Sequence, residues 1–357
     1  MKKHKLLILI FVLVLIFPAC AAQSETSSEL PSSTAASSAV LSTASSSALS
    51  QVSSFAQSAA SAASSALTPS SSASSAKNVV SRLPSSPSKT ITVSSSLPPA
   101  TAPPKKAATK PMAAVNAKIP HASGTSVFNK DGAQVDYSNA AQGYIMVKHT
   151  GSSKIKVLVY YNGGSSYYQY DIAGNGSYVT LPLQSGSGSY RVRFMENLSG
   201  SSYAELASTE LTAGVTGSGY TLYPNQYVNY TSGSAAVAKA KSLCANATSN
   251  AEKVATIYKF VYSTIQYDYA KAKSVKSGYL PSVDTTLSTK KGICFDYAAL
   301  MATMCRAQGI PTKLVIGNTS VGYHAWNEVY LGGWKRYDAT FAAAGQTAGT
   351  YTAEKYY

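Results

Sequence analysis

Hydrophobic and polar positions change rhythm several times along the 357 residues. An apolar run at 6–17 follows Lys2, Lys3 and Lys5. From about residue 23 to 112 large hydrophobics are sparse, Ser and Ala dominate, and Pro and Thr increase toward the end. From 124 to 215 apolar and polar residues alternate, as at 143–149, 154–161, 177–183 and 189–195. Period two, β-branched and aromatic residues, and Gly/Ser/Asn clusters between the runs predict antiparallel strands. About seven strands in about 95 residues predict an all-β sandwich. Beyond 218 the spacing becomes helical. Val237, Ala240, Leu243 and Cys244 share one face, and Val254, Ile257, Tyr258, Val261 and Ile265 form a second stripe that Asn250 can cap. A third helix is predicted over 294–308, stopped by Gly309 and Pro311. Strands are predicted at 312–317, 323–331 and 334–340, the last two joined at Gly332-Gly333. Helices followed by strands predict an α+β domain. The chain therefore divides into 1–20, 21–112, 113–217 and 218–357.

The first two segments concern location. Twelve apolar residues are too few for a membrane span, which takes about 20, and suit the core of a secretory signal peptide. Phe17-Pro18-Ala19-Cys20 resembles a bacterial lipoprotein cleavage site, departing from it at Phe17 and Pro18. The resemblance implies a lipidated Cys20 that anchors the protein to the extracellular face of the plasma membrane. Cleavage at the A-x-A of Ala19 to Ala21 gives a secreted protein instead. Residues 21–112 cannot bury enough surface to offset their ordering entropy, so they are expected to form a disordered stalk. Its r.m.s. reach is about 50 Å.

Charge narrows the partners. The net charge is +15, of which +7 (14 basic against 7 acidic residues) lies from residue 218 onward. This suits cell-envelope or wall polymers as partners, but a merely solvated surface is the preferred explanation. Without a dense Lys/Arg run, and with a secretion signal, nucleic acid is not expected. Tyr160, Tyr161, Tyr167, Tyr168 and Tyr170 could stack on sugar rings, or serve simply as good strand formers.

The candidate chemistry lies in the last segment. Cys294 opens a predicted helix after Gly292, with Lys290 and Lys291 nearby, a setting that favours a thiolate. His324 and Asp338 follow on predicted strands. Thiol, imidazole and carboxylate in neighbouring elements are the parts of a nucleophilic acyl-transfer site. The order sets a geometric condition. Across a two-residue Gly332-Gly333 turn, Asp338 would face away from His324. A three-residue loop with a glycine in the left-handed region, or a β-bulge, puts Asp338 opposite Trp326 and on the face of His324. Such a loop is expected. Cys294 and Cys305 would stand about 16 Å apart on one helix, beyond disulfide reach. A Cys244–Cys305 bridge stays open. Asp296 reads as a first-turn carboxylate. No metal-ligand spacing or nucleotide fingerprint is visible, so no cofactor is expected.

G-I-C-F-D-Y-A-A-L-M, R-A-Q-G-I-P-T-K-L-V-I-G and H-A-W-N-E-V-Y-L-G-G-W-K-R-Y-D-A-T-F, in that order, resemble the catalytic blocks of the transglutaminase-like branch of the papain-like cysteine superfamily. The resemblance covers roughly 220–345. It implies Cys294 as nucleophile, His324 as base and Asp338 as orienting acid. It implies an enzyme acting on protein or peptide amide bonds through a thioester, as protease, amidase or cross-linking transglutaminase, with hydrolysis preferred. The Cys294 N–H is one expected oxyanion donor, with Tyr267 or, after it, Gln266 as the second. Trp326 and Asn327 are expected to support the strand and the cleft wall. The alternative is a non-catalytic wall-binding or adhesive protein on the same scaffold.

Overall fold

The computed structural model describes residues 110–357. The signal segment, Cys20 and the Ser/Ala-rich stretch through residue 109 lie outside the described residues. The β-rich region contains β1 (Val127–Lys130), β2 (Ala133–Asp136), β3 (Tyr144–His149), β4 (Ile155–Tyr161), β5 (Tyr167–Ile172), β6 (Val179–Pro182), β7 (Gly188–Ser199) and β8 (Ser202–Ala213). These form two four-stranded antiparallel sheets, β1-β2-β3-β6 and β5-β4-β7-β8. Alternation sorts their side chains as expected. Val157, Val159, Val192 and Phe194 of one sheet share a core with Val135, Ile145 and Val147 of the other, while Leu158, Tyr160 and Met195 form a separate small cluster. The five tyrosines considered for sugar stacking are not exposed. Tyr160 and Tyr170 are buried, and Tyr161, Tyr167 and Tyr168 are half-buried against Tyr190, Tyr160 and Tyr357.

The helix-containing region follows: α1 (Ala235–Leu243), α2 (Asn250–Thr264), β9 (Gln266–Tyr267), α3 (Tyr269–Ser274), α4 (Val283–Thr289), β10 (Lys291–Gly292), α5 (Cys294–Ala307), β11 (Thr312–Thr319), β12 (Gly322–Tyr330), β13 (Trp334–Tyr337), α6 (Ala339–Ala343) and β14 (Tyr351–Tyr356). The strands form a sheet in the order β13-β12-β11-β14, and β9 and β10 pair in parallel. Two expectations are corrected. Ser249, not Asn250, caps α2; its hydroxyl accepts from the Glu252 N–H at 3.1 Å, and the Glu252 carboxylate returns to the Thr248 N–H at 2.8 Å. The strand predicted over 334–340 stops at Tyr337, because Asp338 turns to cap α6.

Helix α5 is the centre of this region, and every one of its residues is buried. It packs on α1, α2, α4, β11 and β12. Near its end the fully buried Arg306 donates through Nε to the Thr312 carbonyl (2.8 Å), and through its two terminal nitrogens to the carbonyls of Tyr223 (2.6 Å) and Tyr357 (2.7 Å). One guanidinium thus ties the segment leaving the β-rich region to β11 and to the residue after β14. Lys355 Nζ donates to the Tyr167 carbonyl at 2.9 Å, and the buried residues of both regions form one continuous cluster.

Two outcomes follow from this shared core. Thermal unfolding of residues 110–357 should give a single calorimetric transition; separate melting of the β-rich and helical regions would contradict the continuous core. Arg306→Ala leaves the buried carbonyls of Thr312 and Tyr223 without their donor, at about 1–3 kcal/mol each, while the Tyr357 carbonyl keeps the Leu314 N–H. Urea unfolding should therefore show a loss of about 2 kcal/mol or more.

Candidate active site

The approach to Cys294 is set before the helix begins. Gln266 N–H donates to the Lys290 carbonyl (2.8 Å) and Asp268 N–H to the Gly292 carbonyl (2.9 Å), so the short β9–β10 pair places Tyr267 opposite Gly292. A Cβ on Gly292 would lie 2.6 Å from the Asp296 Cβ, which explains the glycine. The Asp296 carboxylate accepts from the Ile293 N–H at 2.8 Å, the return arm of a capping box. It also accepts from Lys271 Nζ (3.0 Å) and the Tyr279 hydroxyl. Asp296 is fully buried and more than a first-turn charge: it joins the start of α5 to α3 and to Tyr279. No periodic pattern in the chain announces that cluster.

Cys294 is completely buried. Its sulfur accepts from the backbone N–H groups of Ala325 and Phe295, which favour the thiolate, but burial is the largest influence and pushes the thiol well above its ordinary value. The nearby carboxylates of Asp338 and Asp296 push the same way. Lys290 and Lys291 are exposed. The expected tilt toward a resting thiolate is therefore not what this site produces. Cys244 and Cys305 are also free buried thiols, so the bridge left open between them is not formed. Burial raises the Cys305 thiol to about 12.

His324 lies on β12, directly before the Ala325 whose N–H meets the sulfur. Its Nε2 is 2.9 Å from Asp338 Oδ2, leaving Nδ1 as the ring nitrogen the carboxylate does not use. The β12–β13 pairing ends with Tyr330 opposite Trp334 and begins with Asn327 opposite Tyr337. The loop is the expected three-residue Leu331-Gly332-Gly333, with Gly332 at φ +74°, in the left-handed region where glycine alone is unstrained. This register sends Asp338 toward the face of His324. Asp338 Oδ1 accepts from the N–H groups of Thr340 (3.1 Å) and Phe341 (3.0 Å), and Oδ2 also accepts from the Tyr351 hydroxyl (3.0 Å). Tyr351 escaped the sequence reading; it comes from β14, a strand without a strong alternating pattern.

The remaining expected residues fall around this centre. Trp326 is buried against Tyr351, their ring centroids 5.1 Å apart. Asn327 braces β12 against the helix, its side-chain nitrogen donating to the carbonyls of Ala298 (3.0 Å) and Lys313 (3.2 Å). The Tyr267 Oη is buried with no partner, and its pKa is raised by burial first and then by the Cys294 sulfur nearby. Gln266 is exposed at the rim. Both line a cavity of about 550 Å³ that also meets His324. Among the described residues no group of three or more His, Cys, Asp or Glu side chains converges to hold a metal.

Residues 237–339 match the family model described as the transglutaminase-like superfamily. None of the curated proteins matches the chain. Among solved structures, a candidate cysteine protease from Cytophaga hutchinsonii is similar at 17% identity over 55% of this chain and 78% of that one, with a TM-score of 0.31. The periplasmic domain of TgpA from Pseudomonas aeruginosa is similar at 17% identity over 64% and 78%, with a TM-score of 0.29. A redesigned β-sandwich protein is similar at 20% identity over 25% and 94%, with a TM-score of 0.20. The structural likenesses are weak, and the family match is confined to one stretch: residues 237–339 are a transglutaminase-like domain.

Proposed function

We propose that this chain is a Cys-His-Asp enzyme that acts on protein or peptide amide bonds through a thioester, with the two-sheet region as an accompanying β-sandwich. The observation that carries this reading is the His324–Asp338 contact beside a sulfur held on the Ala325 N–H. The Cys294 sulfur attacks the amide carbonyl carbon, and its proton passes to His324 Nδ1. A C–S bond forms while the amide C–N bond breaks, and the same proton leaves on the amine. Water then attacks the thioester, releasing the acid and restoring the thiol. An amine in place of water gives transamidation; hydrolysis is preferred because the proposed location is aqueous. Asp338 holds the imidazole orientation and stabilises its cationic form. The Cys294 N–H and the unpartnered Tyr267 hydroxyl are the proposed donors to the oxyanion, with Gln266 as the alternative to Tyr267. The proposed location is the outer face of the plasma membrane, through a lipidated Cys20, or the medium after ordinary cleavage. Envelope or wall polymers are the proposed surroundings.

Three measurements test the chemistry. Turnover of a glutamine-containing peptide, followed by ammonia release and by amine incorporation, should fall about 10²–10⁴-fold in His324→Ala. If that variant keeps wild-type turnover, or Cys294→Ala does, the Cys-His-Asp reading fails; a wild type without turnover leaves a non-catalytic scaffold. Tyr351→Phe removes one of the donors to Asp338 and should lower turnover by about tenfold with little change in unfolding midpoint. The thiol, raised by burial, stays protonated at neutral pH. Without substrate, alkylation of Cys294 by iodoacetamide at pH 7 should be slower than in urea, where the cysteine returns to about 8.5. The folded rate should still be climbing above pH 9.

A further inference from the structure

The cavity beside His324 lies between the end of α2 with β9 on one side and α6 with the β11–β12 turn on the other. Its volume, about 550 Å³, is in the range of sites that hold a small ligand or a few residues of peptide, about 300–1,000 Å³. Aromatic faces dominate its wall: Tyr262, Tyr267, Tyr269, Tyr297, Tyr323 and Phe341. No Asp, Glu, Lys or Arg is among the described residues that line it, although the chain carries a net charge of +15. Burial keeps the hydroxyls of Tyr267, Tyr297 and Tyr323 neutral. An ionised group entering this space would lose water, and apart from His324 in its cationic form it would meet no opposite charge on the wall.

Two side-chain oxygens of lining residues, Tyr267 Oη and Thr340 Oγ1, are buried without a hydrogen-bond partner. Each hydroxyl can donate and accept. An occupant that fits this wall presents a large apolar surface to the rings and a small number of neutral hydrogen-bonding groups to side chains such as Ser263, Gln266 and Gln346. A peptide does both: its backbone amides match such side chains, and an aromatic or aliphatic side chain covers the tyrosine faces. A sugar ring also stacks on tyrosine, and Ser263 and Gln266 on the same wall are exposed polar groups, so a sugar is the competing occupant.

We propose that this cavity is the acyl-donor subsite, and that it selects an uncharged peptide segment with an aromatic or aliphatic side chain next to the reacting amide. The inference rests on the enzyme reading for the word acyl-donor, but the selectivity is a binding property and can be measured without turnover. The full chain carrying Cys294→Ala is titrated calorimetrically with N-acetylated, C-amidated glutamine peptides whose neighbouring residue is Phe, Leu, Glu or Lys, and with an N-acetylglucosamine tetramer. The Phe and Leu peptides should bind at least about tenfold tighter than the Glu and Lys peptides, about 1.4 kcal/mol, and tighter than the sugar. A second variant, Ala344→Asp, puts a carboxylate on the half-buried wall outside the catalytic set. It should favour the Lys peptide over the Glu peptide by about fivefold or more. Equal binding of all four peptides, no binding up to millimolar concentration, or a sugar bound as tightly as the Phe peptide would overturn the proposal. Wild-type turnover separates the two readings. Selective binding with no turnover of the Phe peptide sinks the enzyme and keeps the subsite, whereas turnover without selectivity does the reverse.

Discussion

Helix α5 is buried along its whole length, so the polar groups at both of its ends must be answered from inside the protein. At the C-terminal end the backbone N–H groups of Gln308, Gly309 and Ile310 take the carbonyls of Cys305 and Arg306, and the buried Arg306 guanidinium is itself answered by three carbonyls from three different stretches of chain. At the N-terminal end Asp296 takes the Ile293 N–H and is itself held by Lys271 and Tyr279. The same burial that makes α5 a stable axis places Cys294 in a dry position. Packing and chemistry are therefore one constraint: the helix cannot be loosened to expose the sulfur without uncovering the polar groups that fix its ends.

Asp338 shows how one residue joins local structure to the site. As the cap of α6 it offers Oδ1 to two backbone N–H groups, which fixes the plane of the carboxylate. Oδ2 is then aimed at His324 and steadied by Tyr351. Three groups separated in sequence agree on one orientation because a helix has to start there. The three-residue loop upstream is the other half of the device, since one residue fewer would turn Asp338 to the opposite face of the sheet.

Much of this could be read from the chain. Alternation located the strands around Val157 and Val192, a helical stripe located α2, and the Gly332-Gly333 pair with a side-chain parity argument gave the loop that brings Asp338 round to His324. What stayed hidden depends on contacts between distant residues. Tyr351 looks like any strand tyrosine until β14 pairs with β11. Lys271 and Tyr279 sit in short, polar stretches with no periodicity, and only the fold brings them to Asp296. Arg306 reads as a last-turn cation suited to the helix dipole, whereas its position is fully buried. The Cys294 thiol differs from its sequence expectation for a related reason. Helix position and lysines are visible in sequence, but the desolvation that outweighs them is a property of the packed site.

That outcome is compatible with an acyl-transfer role. A thiolate of higher pKa is intrinsically the stronger nucleophile, and nucleophilicity falls as the pKa falls. A thiol kept protonated until His324 takes the proton gives up resting thiolate but attacks with greater force per ion. The neutral thiol is also the less oxidisable form, an advantage for a free cysteine in the extracytoplasmic setting proposed here. Such a site requires that the proton acceptor and the oxyanion donors be in place before the substrate arrives, because in a dry cleft water cannot substitute for them. His324 oriented by a carboxylate that accepts three further hydrogen bonds, and a tyrosine hydroxyl left without a partner near the sulfur, are arrangements of that kind. On this reasoning, activation of Cys294 belongs to the encounter with the acyl donor and not to the resting charge of the thiol.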